Sequence, residues 1–484
     1  MSAAQVTVGV LSYVELVAQA DWPLCVDTYQ RGFVWHSDKM RQLLDDLAEY
    51  AQVADPKPPY YMGAILLHRS ADKQQRFVVD GQQRLTALSV LHHHLKREVP
   101  ANCALSYSPQ SVTRIRAAAK ACADWGGTLD PAIFQRIVFT IIGVEELDLA
   151  FTFFDTQNNR GVPLHATDLL KAYHLRAIDG ATEAQKENLQ TQCAQRWENL
   201  QREDIPLTHR QELVQSLFSR YVWRARRWTG QRANEGGHFS LLDEFQGNSH
   251  PAGKVGNTIP LYGARSNRRA LTLSLNPEGH SELHTAPIAL NPQAADLPFA
   301  IRQPIHRGIG FFLYADKYAA LLRLLTLEKT EDAELLRFRD VFEKLVRANS
   351  LYLQECFLLA ALVYVDQFGT DRLWDFSLWL EHALGALRIE KHQVRQETAQ
   401  KFFRDDPVKN LLDVIVGAYL PSEVIRHLQA RSDAAYTSER DDIALGGVQT
   451  TYKNAVLAYF GQKGNTLQDK RRWIDATLRG VAVC

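Results

Sequence analysis

The chain has 484 residues, of which 46% are hydrophobic and 23% charged, so it is long enough for two or three domains that each bury a core. Its 55 Lys and Arg residues balance its 55 Asp and Glu residues, which excludes a protein that binds nucleic acid through overall positive charge. Any surface for DNA is therefore expected to be a local patch.

The cysteines and the apolar segments predict a cytoplasmic protein. The six cysteines are scattered and form no CxxC pair, which favours reduced thiols and argues against a zinc site. Residues 1–20 lack a basic segment followed by a long apolar core, so we expect no secretion signal. The longest apolar run, Cys356–Val365, is about half the length that crosses a bilayer, and we expect a buried helix and no membrane association.

The first hundred residues predict a mixture of short strands and helices. Ser37 is positioned to cap a helix, and residues 60–68 and 76–80 read as the two strands of a hairpin. Residues after Arg84 have leucines at helical spacing, so a second helix is expected to follow the hairpin directly.

The rest of the chain predicts mostly helices. Residues 111–176 read as helical with one strand at 135–144, and residues 229–310 are rich in Gly, Asn, Pro and Ser, so their periodicity does not decide between a connection and short strands. From residue 311 the pattern is helical, with an apolar stripe at Leu335, Phe338, Phe342 and Leu345. We therefore predict an α+β domain with a small mixed sheet at 1–228, an irregular region at 229–310 and a helical domain at 311–484.

The segment Asp80–Thr86 is the first candidate ligand site. An apolar strand runs into Asp80 and Gly81, and two glutamines and Arg84 follow at the start of the next helix. Glycine permits close approach of a ligand to the backbone, and the first amides of a helix attract phosphate. The alternative is an ordinary helix start, with Asp80 as its cap and the glutamines in water.

The segment Tyr29–Trp35 is the second candidate. Gln30 and Arg31 lie between aromatic residues that could hold the guanidinium in place by stacking. The alternative is a surface turn above packed aromatic rings.

A third polar segment contains Asn158, Asn159, Arg160 and Gly161, followed by Lys171 in a predicted helix. An Asn oxygen can bind a nucleotide-associated Mg²⁺, whose other ligands are usually water and phosphate. Either Asn could instead be a helix cap.

These three segments resemble a known family. VVDGQQRLTAL, YQRGFVW and FFDTQNNRGVPLHATDLLKA look like the DGQQR-motif domain of the ParB/sulfiredoxin-like superfamily, over about residues 10–230. That domain occurs in the S half of GmrSD type IV restriction enzymes and in SspE-type phage-defence proteins.

The resemblance implies a domain that binds and hydrolyses a nucleoside triphosphate with Mg²⁺ during recognition of foreign or modified DNA. The resemblance also implies a role for individual residues. The catalytic groups would be Asp80, Gln82, Gln83 and Arg84, and the metal ligand would be Asn158. The nucleotide contacts would be Gln30, Arg31, Gly81, Thr86, Asn159, Arg160 and Lys171.

One departure from the family pattern bears on function. Many relatives carry a C-terminal HNH nuclease, whereas the histidines after residue 320 here are His382, His392 and His427, none of them in such a motif. We therefore predict a partner nuclease or effector subunit, and leave a homo-oligomer open. The alternatives are a nucleotide-gated DNA clamp without turnover, and a self-sufficient nuclease with an unrecognised site.

A cluster of Arg220, Arg224 and Arg227 with neighbouring aromatic residues could bind a DNA backbone. The alternative that we favour is a solvated or interdomain helix face.

Overall fold

The computed structural model divides into two compact units, Met1–Leu164 and His165–Cys484. It describes residues 6–19, 22–27, 32–100, 102–105, 109–146, 149–150, 153, 165–201, 213–251, 258–262, 271–275, 277, 280–285, 294–391, 393–404, 409–431, 433–437 and 447–480. The division falls after residue 164, whereas the sequence analysis groups residues 1–228 together.

The first unit is built on a six-stranded mixed sheet with the order β1-β6-β3-β4-β2-β5. β3 pairs antiparallel with β4 and parallel with β6, while β1 pairs antiparallel with β6 at one edge. The strands are β1 (Val6–Ser12), β2 (Leu24–Cys25), β3 (Tyr60–Ser70), β4 (Gln75–Asp80), β5 (Cys103–Ala104) and β6 (Ile137–Val144).

The helices that the described residues of this unit form are α1 (Tyr13–Ala18), α2 (Ser37–Gln52), α3 (Gln82–Lys96), α4 (Pro109–Ala123) and α5 (Ile133–Arg136). Leu85, Leu88 and Leu91 of α3 enter the same core as Met40 and Leu44 of α2, which confirms the predicted leucine spacing after Arg84. The predicted cap at Ser37 is wrong: α2 begins at Ser37, and His36 is its N-cap residue without a side-chain bond.

The second unit is mostly helical. Its first helices are α6 (Ala166–Arg176), α7 (Glu183–Gln201), α8 (Leu213–Ser216), α9 (Trp223–Arg227) and α10 (His238–Leu242), with π-helical turns at Leu217–Val222 and Asp243–Gly247. A two-stranded hairpin, β7 (Leu271–Leu275) and β8 (Ser281–Thr285), and a 3₁₀ turn, Ala294–Asp296, lie in the region that periodicity left undecided.

The later helices are α11 (Ile309–Thr326), α12 (Ala333–Lys344), α13 (Leu351–Phe368), α14 (Leu373–Glu390), α15 (Gln396–Arg404), α16 (Leu411–Gly417), α17 (Pro421–Gln429), α18 (Ala434–Thr437), α19 (Val448–Tyr459) and α20 (Lys470–Leu478); a 3₁₀ turn at Val346–Ala348 precedes α13. The predicted stripe at Leu335, Phe338, Phe342 and Leu345 is buried. An α+β region with a small mixed sheet followed by a mostly helical region is thus confirmed.

Helix α13 is the central apolar helix of this unit. By length and composition it could cross a membrane, but 78% of that stretch is buried inside the protein. Every residue from Leu353 to Val365 is buried, including Glu355. The prediction of a buried helix over the apolar run is confirmed.

Glu355 explains the arginine cluster. Arg220 forms an ion pair with one oxygen of this fully buried carboxylate, and Arg224 approaches the other at 3.0 Å. Arg227 contacts Asp243 and Glu244. Acidic residues of the same unit pair with all three guanidinium groups. The favoured solvated face is therefore wrong for the largely buried Arg220 and Arg224, whereas the side chain of Arg227 is 42% exposed. The DNA contact stays a prediction.

Candidate functional site

The turn between β4 and α3 positions the first candidate site. Gly81 has φ +94°, and an ideal Cβ there would lie 2.9 Å from Ile65 Cγ1, so both conformation and space require glycine. Leu85 N–H donates to Gly81 O at 3.0 Å, which closes the first turn of the helix. The amides before Leu85 have no acceptor within the helix and carry the partial positive charge of its N-terminus.

Arg84 is held across this turn by two acceptors. Its Nη1 donates to Met62 O at 3.0 Å, and its Nη2 lies 3.3 Å from Asp80 Oδ2. The side chain of Arg84 remains 24% exposed and that of Asp80 38% exposed. A guanidinium with one neutral acceptor and one half-exposed carboxylate keeps donors for a further anion.

Gly63 makes room for this arrangement. The pairing of β3 with β6 shifts register between Tyr61 and Ala64, and Gly63 adopts φ +99°. An ideal Cβ at Gly63 would overlap with Arg84 Nη1. The irregularity in β3 therefore lets the guanidinium lie against the backbone, and an isolated glycine inside a strand was the sequence signal that could have indicated it.

Gln83 joins the first two predicted segments. Its Nε2 donates to Gly32 O at 3.1 Å, and its Oε1 accepts from Val34 N–H at 2.9 Å. Phe33 N–H between them donates to Ser111 Oγ at 2.9 Å. Residues 32–34 of the second candidate segment thus contact the turn at Asp80, and Gln83 uses both ends of its amide to make that contact.

Gln82 and Thr86 lie on the inner side of α3. Thr86 is fully buried, and its hydroxyl donates to Gln82 O at 2.8 Å. Gln82 is 6% exposed. Their assignment to catalysis and nucleotide binding stays a prediction, and the geometry gives the Thr86 hydroxyl a partner within its own helix.

The remaining predicted site residues are placed elsewhere or not described. Gln30 and Arg31, and likewise Asn158, Asn159 and Arg160, lie outside the described residues. Lys171 belongs to α6 of the second unit, where it is buried and forms an ion pair with Glu198 at 3.1 Å. That contact gives Lys171 a structural role beside the predicted one.

The side chains at this turn can be compared with the ligands that Mg²⁺ requires. Among the residues that the structure describes, no three acidic, His or Cys side chains cluster as a metal site. A nucleotide-bound Mg²⁺ needs only one or two carboxylates, because phosphate and water supply the other ligands. Asp80, half exposed beside Arg84, fits that need.

Two protein families match the chain. Residues 189–443, just over half of its length, match a family of unknown function, DUF7834. Residues 15–175 match the family described as the GmrSD restriction endonuclease N-terminal domain, and this stretch contains the whole turn around Asp80. A search of curated proteins gave no match. The restriction and phage-defence part of the predicted resemblance is thus supported, while the ParB/sulfiredoxin-like relationship stays a prediction.

Proposed function

This chain belongs to the DUF7834 family and carries a GmrSD-type N-terminal domain, and from that premise we propose that it is the nucleotide-hydrolysing subunit of a type IV restriction-like system. It would bind and hydrolyse a nucleoside triphosphate with Mg²⁺ and couple that turnover to recognition of foreign or modified DNA.

The observation that carries the proposal is the position of Arg84. The guanidinium lies at the N-terminal turn of α3, beside Gly81 and the carboxylate of Asp80. Backbone amides, an arginine and one carboxylate are the groups that hold phosphate oxygens and a phosphate-bound Mg²⁺.

The proposed roles follow from that position. Arg84 would bind phosphate oxygens, Gly81 would admit them to the backbone, and Asp80 would bind Mg²⁺ or its water. Gln83 would hold the loop at Gly32 close to the turn and so position Arg31, the residue before that glycine.

The segments outside this turn supply the rest of the proposal. Gln30 and Asn159 would contact the nucleotide, Asn158 would bind the metal, and Arg160 would offset charge in the transition state.

Phosphate release by the full chain tests the proposal, with Mg²⁺, each common nucleoside triphosphate, and DNA present or absent. If Arg84 acts in the transition state, Arg84→Ala should lower turnover by about 10²–10³-fold. Arg41→Ala is the matched control, because Arg41 lies on α2 of the same unit and its side chain is 51% exposed. Unchanged turnover in a folded Arg84→Ala protein would reject the role.

One observation favours a nucleotide-gated DNA clamp as the second candidate. Both ends of the Gln83 amide bind loop backbone, so this side chain is fixed against the loop and would have to give up a loop contact to turn toward an attacking water. Nucleotide binding that depends on Arg84, with no phosphate release in the presence of DNA, would support the clamp over the hydrolase.

The proposed nuclease partner has its own test. The isolated chain is incubated with plasmid and with glucosylated phage DNA in the presence of metal ions. Intact DNA is expected, and cleavage by this chain alone would contradict the need for a partner.

A cytoplasmic location is part of the same proposal. The described cysteines Cys25, Cys103, Cys122, Cys193 and Cys356 are all buried free thiols. Burial raises the pKa of Cys122 to about 11 and that of Cys193 to about 12, so these thiols stay protonated and unreactive.

A further inference from the structure

Helix α4 of the first unit carries only basic charges on its exposed side. Arg114, Arg116 and Lys120 are all exposed, and the stretch Pro109–Ala123 contains no aspartate or glutamate. Helix α2, which packs beside α4, has four carboxylates along its length. In a chain whose total charges balance, a local excess of positive charge is the kind of surface that binds nucleic acid.

The charges on α4 are not neutralised by the protein. Among the residues that the structure describes, no carboxylate forms an ion pair with Arg116 or Lys120. Arg114 Nη1 donates to His36 Nδ1 at 2.6 Å, and an imidazole that accepts this bond has no negative charge to offer. By contrast, Arg136 in the same unit lies 3.2 Å from a carboxylate. The α4 cations therefore keep their attraction for an anion in solution.

The start of α2 extends this surface. Lys39 Nζ lies 5.6 Å from the centre of the Trp35 ring, which holds the ammonium in place without neutralising it. Both Lys39 and His36 are exposed, while the acidic residue of this turn, Asp38, lies 3.6 Å from Arg41. We call the following residues the basic patch: His36, Lys39, Arg114, Arg116 and Lys120.

The spacing of the basic patch suits a row of phosphates. Arg116 and Lys120 are four residues apart and so share one side of α4, about 6 Å apart along its axis. Arg114 is directed to the start of α2, where it contacts His36. A DNA duplex carries one negative charge for about every 1.7 Å of its axis, so cations spread over two helices can meet several phosphates.

One loop connects the basic patch to the turn at Asp80. Gln83 of that turn binds the loop on both sides of Phe33, and Phe33 N–H donates to Ser111 Oγ of α4 at 2.9 Å. The loop ends at His36, the N-cap residue of α2. A ligand that displaces the turn would therefore displace a loop that contacts both helices of the basic patch.

We propose that the basic patch binds the phosphate backbone of duplex DNA without reading its sequence, and that the loop at residues 32–36 couples this contact to the nucleotide. The DNA contact depends on the basic patch alone, whereas the coupling rests on the proposed nucleotide function of the turn at Asp80. Because such coupling is reciprocal, a bound nucleotide changes the affinity for DNA as much as bound DNA changes the affinity for the nucleotide.

The test is binding of a short fluorescent DNA duplex to the full chain without nucleotide, measured by fluorescence anisotropy between about 50 and 200 mM salt. The double variant Arg116→Ala/Lys120→Ala should weaken binding at least about tenfold at the lower salt. The slope of log K against log salt should fall by about 0.9 for each lost phosphate contact, which a merely structural role would not cause. Both side chains are exposed and alanine favours a helix, so this variant is expected to fold.

The matched control is Arg136→Ala/Lys57→Ala, which removes one arginine and one lysine from the same unit. Arg136 pairs with Asp55 at 3.2 Å, and Lys57 donates to the carbonyl groups of Tyr50 and Ala51. Because these cations already have partners, the control should keep both the affinity of the parent and its salt slope. Equal losses in the two double variants, or no binding of the duplex by the parent at the lower salt, would overturn the DNA contact.

Two further measurements separate this proposal from the proposed hydrolysis. Phosphate release without DNA should be equal in the parent and in Arg116→Ala/Lys120→Ala, so a failure of hydrolysis appears as absent release and a failure of the basic patch as unchanged DNA binding. A saturating nucleotide with Mg²⁺ should shift the duplex affinity of the parent, and Gln83→Ala should reduce that shift. No shift in the parent, or the same shift in Gln83→Ala, would reject the loop as the connection.

Discussion

The arginines of the two units differ in what neutralises them. Arg84 contacts the neutral Met62 carbonyl and a half-exposed carboxylate 3.3 Å away. Arg224, with 6% of its side chain exposed, lies between Glu355 and Glu235 at 3.0 Å from each. A buried arginine between two carboxylates holds helices together, whereas a guanidinium shared between a carbonyl and one partly exposed carboxylate keeps more of its attraction for an incoming anion.

The largest expected loss of stability comes from breaking the buried ion pairs. Glu355→Gln leaves Arg220 and Arg224 without their shared buried carboxylate, and we expect the free energy of unfolding to fall by about 3–5 kcal/mol. Chemical denaturation measures the change.

Glu343→Gln is the control for that experiment. Glu343 pairs with Arg347 on the surface, where such pairs contribute about 0.5 kcal/mol. Equal losses from the two substitutions would contradict the distinction between buried and exposed pairs.

His174, in the same unit, is expected to make the folding stability depend on pH. Burial lowers its pKa to about 3, although its ring nitrogen Nε2 lies 2.9 Å from Phe245 O. Because its pKa is lower in the folded chain, the unfolded chain binds more protons between about pH 3 and 6.5. Stability is therefore full above that range and falls as the pH drops through it, by on the order of 4 kcal/mol.

His174→Gln isolates this contribution. Urea unfolding of the wild type and the variant at several pH values should show a difference that shrinks as the pH falls from 7 to 3. A difference that is constant with pH would mean that His174 is not the buried neutral group.

A smaller effect is expected at Gly63, and it should appear in ligand binding as well as in stability. Gly63→Ala adds a Cβ at φ +99° that overlaps with Arg84 Nη1, so the guanidinium must move. We expect a loss of about 1–3 kcal/mol in unfolding free energy and weaker nucleotide binding.

Gly126→Ala is its control, because an ideal Cβ at Gly126 has no heavy atom within 4 Å. Thermal unfolding and nucleotide titration of both variants make the comparison. Unaltered nucleotide affinity in Gly63→Ala would argue that the guanidinium position is unimportant for the ligand.

The smallest effect is expected at Gln83. Gln83→Ala removes both hydrogen bonds to the loop at 32–34 and should cost about 1–2 kcal/mol of stability. Limited proteolysis should then show faster cleavage near Arg31, while Gln52→Ala, at the exposed end of α2, should leave the rate unchanged. Equal cleavage rates in both variants would remove the proposed link between Gln83 and this loop.

Local patterns predicted the strand, turn and helix around Asp80 because each element is specified by neighbouring residues. The apolar run into Gly81 and the leucine spacing after Arg84 required no distant contact. The same holds for the stripe from Leu335 to Leu345.

Contacts between distant residues were not predictable in this way. Nothing in the spacing of Gln83 indicates that its amide meets Gly32 and Val34, and nothing near Arg224 indicates Glu355. A charged residue in a sequence shows its chemistry but not which partner folding has given it. The roles of Arg31 and Asn158 depend on such distant contacts and stay predictions.

The Gln83 contact has a consequence for how this protein can change by mutation. A single primary amide meets a carbonyl with its nitrogen and an N–H group with its oxygen, so the order of the two atoms matters. Glutamate has nearly the same shape but would turn an oxygen toward Gly32 O and repel it. A one-atom exchange would thus separate two sequence motifs that lie far apart along the chain.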